Sequence, residues 1–219
     1  SQEIEFSARF GGGADGKQHT RICVITENSQ YMHIPVPLHG EHQATNCALA
    51  IAAIDQLKKL GYTFNDIDMY GSLAKTVIGG RMEVVWERPK ILVDGAHNPT
   101  SLQTLIKSVG AHIPYDSMIC VFGCCQDKDV AGMLERISLG ADKIIFTKAV
   151  GNPRASEPLL LQKQFEEISG KMTQVAETLP EALEIAAQAA SRDDLICVTG
   201  SFYLVGETKS HLKQLATKK

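Results

Sequence analysis

A short apolar run, Ile91-Leu92-Val93, delivers an acid, an imidazole and an amide in the stretch Asp94-Gly95-Ala96-His97-Asn98-Pro99-Thr100-Ser101. A carboxylate can accept hydrogen bonds from sugar hydroxyls, and an imidazole can meet phosphate oxygens or carry a proton. In an open α/β sheet, ligands bind beyond the carboxyl ends of the strands, so a polar cluster at such an end reads as a site. The plainer reading is a strand-to-helix loop in which Asp94 caps the next helix. Spacing alone leaves both open.

Three further loops of the same kind follow: Gly123-Cys124-Cys125-Gln126-Asp127-Lys128-Asp129, then residues 147–156, then Thr199-Gly200-Ser201. Loops at one sheet edge converge on one crevice, so the four together weigh more than any one of them. Arg81 can meet phosphate oxygens beside His97, and the segment opened by Thr199-Gly200-Ser201 offers backbone N–H groups to an anion. At least one of Asp127 and Asp129 is expected to cap the helix after it. Lys128 is either solvated or aimed at a carboxylate substrate, and Arg154 has a surface role as its default. His19, His33, His39, His112 and His211 follow no ligand spacing and read as surface or turn residues.

The elements that must position these residues fall into two textures. Ile4 to Arg9, Arg21 to Glu27 and Tyr31 to Val36 read as antiparallel hairpin strands around turn-rich Gly11-Gly12-Gly13-Ala14-Asp15-Gly16 and Asn28-Ser29. The triple glycine lacks a G-x-x-x-x-G-K-S/T pattern and reads as a flexible turn. Apolar residues at helical spacing predict a helix from Glu41 to Leu60, ending at Gly61, and a second from Asn65 to Ala74. Gly79-Gly80 then marks a hinge or boundary. Beyond Arg81 strands near 82–86, 91–94, 118–123, 143–147, 172–176 and 195–199 alternate with helical patterns at 99–109, 130–139, 158–169 and 180–191. That alternation predicts an α/β fold: a Rossmann-like, doubly wound, mainly parallel sheet. No G-x-G-x-x-G follows its first strand, so nicotinamide or flavin binding is not supported.

With 219 residues and a formal net charge of -3, the chain can build a sizeable core and carries no polybasic stripe, which argues against nucleic acid and anionic lipid as partners. The six cysteines show no C-x-x-C spacing, so no zinc or redox pair is signalled, and Cys124-Cys125 reads as a strand end. No signal peptide and no membrane-length apolar run appear, which predicts a cytoplasmic setting. With no sustained heptad seam, a monomer is the default. The start at Ser1, without an initiator methionine, reads as an excerpt of a longer or processed polypeptide.

Several motifs recur in a recognisable order: Leu38-His39-Gly40-Glu41-His42-Gln43-Ala44-Thr45-Asn46, then Gly79-Gly80-Arg81-Met82-Glu83, then Asp94-Gly95-Ala96-His97-Asn98-Pro99. Phe122-Gly123 with Asp127-Lys128-Asp129 follows, and Val198-Thr199-Gly200-Ser201-Phe202-Tyr203-Leu204-Val205-Gly206-Glu207 closes the series. From about residue 30 onward the chain resembles folylpolyglutamate synthase and the bifunctional dihydrofolate synthase, members of the Mur ligase superfamily, with the Asp-Gly-Ala-His-Asn-Pro signature favouring the folate branch over cell-wall synthesis. The resemblance implies ATP-dependent amide ligation in folate biosynthesis and one-carbon metabolism: a substrate carboxylate is phosphorylated, and the acyl phosphate is attacked by the amino group of L-glutamate. It implies Asn46 and Gln43 near the adenine, Arg81 at the phosphates, Asp94 at the ribose and His97 near the nucleotide or the transferred phosphoryl, with Arg81 and His97 as the catalytic pair. Lys128 and Ser201 would hold the incoming glutamate.

The implied partners are small molecules: ATP with Mg2+, L-glutamate, and folate or dihydropteroate. The phosphate loop, the magnesium-binding acid and the carbamylated lysine of the family's preceding ATPase domain are not among these motifs. Residues 1–78 would then be the tail of that central domain, 79–83 a hinge about which closure assembles the site, and 84–219 the carboxy-terminal glutamate ligase domain. No metal ligand is expected in this stretch, and the chain alone is expected to be inactive. A stand-alone nucleotide-binding or regulatory module and a Mur-type peptidoglycan-precursor ligase are the competing expectations.

Overall fold

The computed structural model describes residues 5–12, 18–26, 29–38 and 40–217. The chain divides into two compact units, Ser1–Ile78 and Gly79–Lys219. In the first, β1 (Glu5–Gly12), β2 (Gln18–Ile25) and β3 (Gln30–Val36) form an antiparallel sheet in that order. Gly11 and Gly12 extend β1 instead of joining the turn expected at the triple glycine, and residues 13–17 lie outside the described residues. Ile22, Val24, Tyr31, Ile34 and Val36 pack with Ala44, Cys47, Ala48 and Ile51 of α1 (Glu41–Lys59). That helix ends where Gly61 takes φ 92, a left-handed conformation that glycine adopts at little steric cost. A shorter α2 (Asp66–Leu73) is capped by the Asn65 side chain, which accepts from the Ile67 N–H.

The second unit holds a six-stranded sheet. Its strands are β4 (Glu83–Glu87), β5 (Lys90–Val93), β6 (Met118–Phe122), β7 (Lys143–Phe146), β8 (Thr173–Val175) and β9 (Leu195–Thr199), in the order β4-β5-β9-β6-β7-β8. All pairings are parallel except that of the edge strand β4 with β5. The central strand β6 is apolar at every position and its neighbour β9 at all but its terminal Thr199, because both faces are covered. Leu92, Cys120, Phe122, Ile144, Phe146 and Cys197 face one way, and Ile91, Val93, Ile119, Val121, Ile145 and Ile196 the other, as the two-residue side-chain period requires.

Right-handed crossovers decide where the helices go. From β5 to β6, β7 and β8 the chain advances across the sheet in one direction. This places α3 (Pro99–His112), α4 (Val130–Gly140) and α5 (Pro158–Ile168) on one face, through Leu102, Leu105, Met133, Leu134, Leu161 and Phe165. The return from β8 to β9 reverses direction, so α6 (Leu179–Ala189) and α7 (Phe202–Thr217) cover the other face through Leu179, Leu183, Leu204, Val205 and Leu212. The last of these helices is not predicted by the sequence, where Thr199-Gly200-Ser201 reads as a loop. Its buried positions Leu204, Val205, Thr208 and Leu212 are interrupted by charge and by Gly206, which weakens the apolar stripe.

Among the described residues no helix is long and apolar enough to cross a membrane. Five of the six thiols are buried, and Cys23 is half-buried. Burial pushes the Cys120 thiol up to about 12 and the Cys124 thiol to about 11, which suppresses the thiolate. A thiol reagent applied to the native chain at pH 8 is therefore expected to label Cys23 first, with the other five released only on unfolding. Rapid native labelling of Cys124 or Cys125, located by peptide mapping, would contradict this packing.

Candidate functional site

The carboxyl end of β5 leads to α3 on one face of the sheet, while that of its neighbour β9 leads to α7 on the other. Chains that depart to opposite faces leave a crevice between them, the switch point where α/β sheets bind ligands. Backbone bonds knit the loops there into one surface. Asp94 N–H donates to Val198 O at 3.0 Å, Gly200 N–H to Ala96 O at 3.0 Å, Gly123 N–H to Thr199 O at 3.3 Å and Ser156 N–H to Cys124 O at 2.8 Å.

Asp94 is buried and accepts from the Ala96 N–H at 2.8 Å and the Met82 N–H at 2.9 Å. It therefore ties the turn before β4 to the loop after β5. The cap of α3 is Asn98, whose side chain accepts from Ser101 N–H at 2.8 Å in a reciprocal capping box. The helix cap considered for Asp94 thus belongs to Asn98.

Arg81 and His97 meet at one ring that has no sequence-predicted role, Phe202, the first residue of α7. The Arg81 guanidinium carbon lies 4.7 Å from the Phe202 centroid, and the His97 ring centroid lies 6.2 Å from it. Phe202 rests flat against Gly95, where an added Cβ would fall 2.4 Å from the ring. The only signal in the sequence is an aromatic directly after a Thr-Gly-Ser strand end. His97 Nδ1 lies 2.8 Å from Gly95 O. A carbonyl can only accept, so Nδ1 carries a proton and Nε2 is the ring nitrogen left to face a ligand. Arg81 has no carboxylate partner among the described residues, and the ring beneath it is a weak substitute for an anion.

Ser201 is buried, and its hydroxyl accepts from the Leu204 N–H at 3.2 Å, capping α7. Asp129 caps α4 by accepting from Gly132 N–H at 3.0 Å. Asp127 lies between two cations, 3.6 Å from Lys128 Nζ and 3.4 Å from an Arg154 guanidinium nitrogen. These pairs are partly exposed and hold the loop only weakly. Gln43 and Asn46 belong to the other unit, one turn apart on α1, where the Asn46 amide donates to the Gln43 carbonyl at 3.4 Å. The structure thus brings Arg81, Asp94 and His97 together, seats Ser201 beside Phe202, and groups Lys128 with Asp127 and Arg154. Among the described residues no three His, Cys, Asp or Glu side chains are placed to hold a metal ion.

A family model described as Mur ligase, glutamate ligase domain, matches residues 80–202, more than half of the chain. The dihydrofolate synthase/folylpolyglutamate synthase of Bacillus subtilis is 29% identical over 191 residues, covering 86% of this chain and 43% of that protein. A UDP-N-acetylmuramoyl-L-alanyl-D-glutamate–2,6-diaminopimelate ligase of Buchnera aphidicola is 30% identical over 187 residues, covering 79% and 35%. A crystal structure of Mycobacterium tuberculosis folylpolyglutamate synthase complexed with ADP and AMPPCP superposes with a TM-score of 0.80 at 26% identity, over 94% of this chain and 47% of that one. The chain therefore spans less than half the length of each of these relatives.

Proposed function

Since the chain belongs to the Mur ligase family through its glutamate ligase domain, we propose that it forms part of an ATP-dependent ligase that adds glutamate to folate or dihydropteroate through an acyl phosphate. The observation that carries this reading is the Arg81-Phe202-His97 cluster: a guanidinium without an anionic partner among the described residues and an imidazole with a fixed tautomer, at the switch point of the sheet. Charge crowds at this reaction, because triphosphate, carboxylate and glutamate are all anionic, and a preorganised cation acts most strongly where that charge builds up.

In this reading Arg81 neutralises phosphate oxygens, and His97 Nε2, held by the bond from Nδ1 to Gly95 O, stands at the nucleotide or the transferred phosphoryl. Asp94, whose two oxygens accept from the Met82 and Ala96 N–H groups, is assigned to a ribose hydroxyl. Lys128 and Ser201 are assigned to glutamate, and Gln43 and Asn46 to the adenine. ATP would supply the phosphoryl group that converts one carboxylate oxygen into part of a phosphate leaving group, which departs as the glutamate amine forms the amide bond. Magnesium would accompany the nucleotide, with its protein ligands expected mainly in the ATPase part of the enzyme.

The same family and the Buchnera relative favour a second reading, ligation of an amino acid to a peptidoglycan precursor. The full-length enzyme, given ATP, glutamate and either a folate or a nucleotide-linked peptide, is expected to release ADP only with the folate. Release with the peptide alone would transfer the chain to the second reading. The 219-residue chain by itself is expected to release none with either, and turnover by it would overturn the assignment of the phosphate loop to another part of the enzyme.

A further inference from the structure

Arg81 stands between two residues with left-handed backbone, Gly80 at φ 71 and Met82 at φ 46. A methionine is rarely found there, and such a conformation persists only where its surroundings over-determine it. Four contacts do so. Gly80 N–H donates to Glu83 Oε2 at 2.7 Å, and Gly95 N–H donates to Gly80 O at 2.8 Å. Met82 N–H donates to Asp94, and the Met82 side chain is buried in the core. Glu83 is itself gripped by Lys209 Nζ, 2.8 Å from each carboxylate oxygen.

Lys209 lies seven residues after Phe202 on α7, two helical turns along the same face. One helix therefore references both ends of Arg81, its backbone through Lys209 and Glu83 and its guanidinium through Phe202. We propose that Glu83 and Lys209 form a latch that sets the position of Arg81, which makes both of them positioning residues for the ligation. The inference rests on the reading of Arg81 as a phosphate-side cation. The Lys209 side chain is 40% exposed and that of Glu83 29%, so the pair's contribution to overall stability is small and its geometric effect is the larger one.

The full-length enzyme carrying Glu83→Gln or Lys209→Met, each alone and combined with Arg81→Ala, tests this through kcat, KM for ATP and the thermal midpoint. Each single variant is expected to raise KM for ATP about five- to tenfold with the midpoint moved by only a few degrees. In the Arg81→Ala background neither is expected to change KM further, because residues that act through a shared partner are not additive. Exchanging the charges, Glu83→Lys with Lys209→Glu, restores an ion pair but removes the acceptor for Gly80 N–H, since an ammonium accepts nothing. That exchange should leave KM high.

Full additivity with Arg81→Ala, an unchanged KM in the single variants, or recovery by the exchange would each overturn the latch. If Arg81→Ala itself leaves kcat and KM untouched, the functional reading falls and the latch falls with it. Silence at Glu83 with a strong effect at Arg81 removes the latch alone.

Discussion

If Arg81 is the phosphate-side cation proposed above, Arg81→Ala in the full-length enzyme is expected to lower kcat/KM for ATP roughly a hundredfold or more while leaving the fold standing. Removing one preorganised charge or donor from a site of developing negative charge typically costs about 3 kcal/mol in the transition state. The stability side is much smaller. Arg81 makes no ion pair among the described residues, and its stacking on Phe202, a ring 45% exposed, is worth about 0.5–1 kcal/mol. Steady-state kinetics with ATP varied, beside a denaturation curve on the same protein, separates the two terms. A drop in activity matched by an equal drop in stability would mean that the guanidinium holds structure only. Phe202→Leu keeps apolar bulk against Gly95 but removes the π face, and a smaller kinetic loss of the same kind is expected from it.

Most of the fold was legible because its cause is local. The apolar runs 91–93, 118–122 and 195–198 are strands buried on both faces, and the helices that alternate with them carry apolar residues at a 3.6 period. Right-handed crossovers then leave little freedom in how such units assemble. What escaped the sequence depended on contacts between distant positions. Phe202 and Lys209 acquire their roles only because α7 returns beside β4, which brings Lys209 to Glu83 across 126 residues. Asp94 reads from sequence as a ligand or a helix cap, yet its carboxylate accepts from the Ala96 and Met82 N–H groups, and the second bond exists only because β4 and β5 pair. Ser201 was legible as a polar residue at a strand end, but its function as the cap of α7 requires the helix that went unread.

Two glycines on either side of that cap are expected to respond to alanine in opposite directions, and the contrast tests how tightly the crevice is built. Gly200 holds φ 106, and a Cβ there would lie 2.5 Å from Gly123 O and 2.7 Å from the Phe122 ring. Neither obstacle is the free end of a flexible side chain: one is backbone and the other a fully buried aromatic. Left-handed strain and overpacking act together, so Gly200→Ala should destabilise by about 3 kcal/mol. Gly206 lies inside α7 with nothing within 4 Å of an added Cβ. Alanine there removes the conformational disadvantage of glycine in a helix and should stabilise by about 0.5–1 kcal/mol. Urea denaturation of the two variants measures both, with an unchanged slope showing that the unfolding reaction is the same. If Gly200→Ala were neutral, the Ala96, Gly123 and Gly200 backbones could move apart without penalty. The crevice would then lack the rigidity that fixed donors need, because donors that reorganise during reaction lose the advantage of being placed in advance.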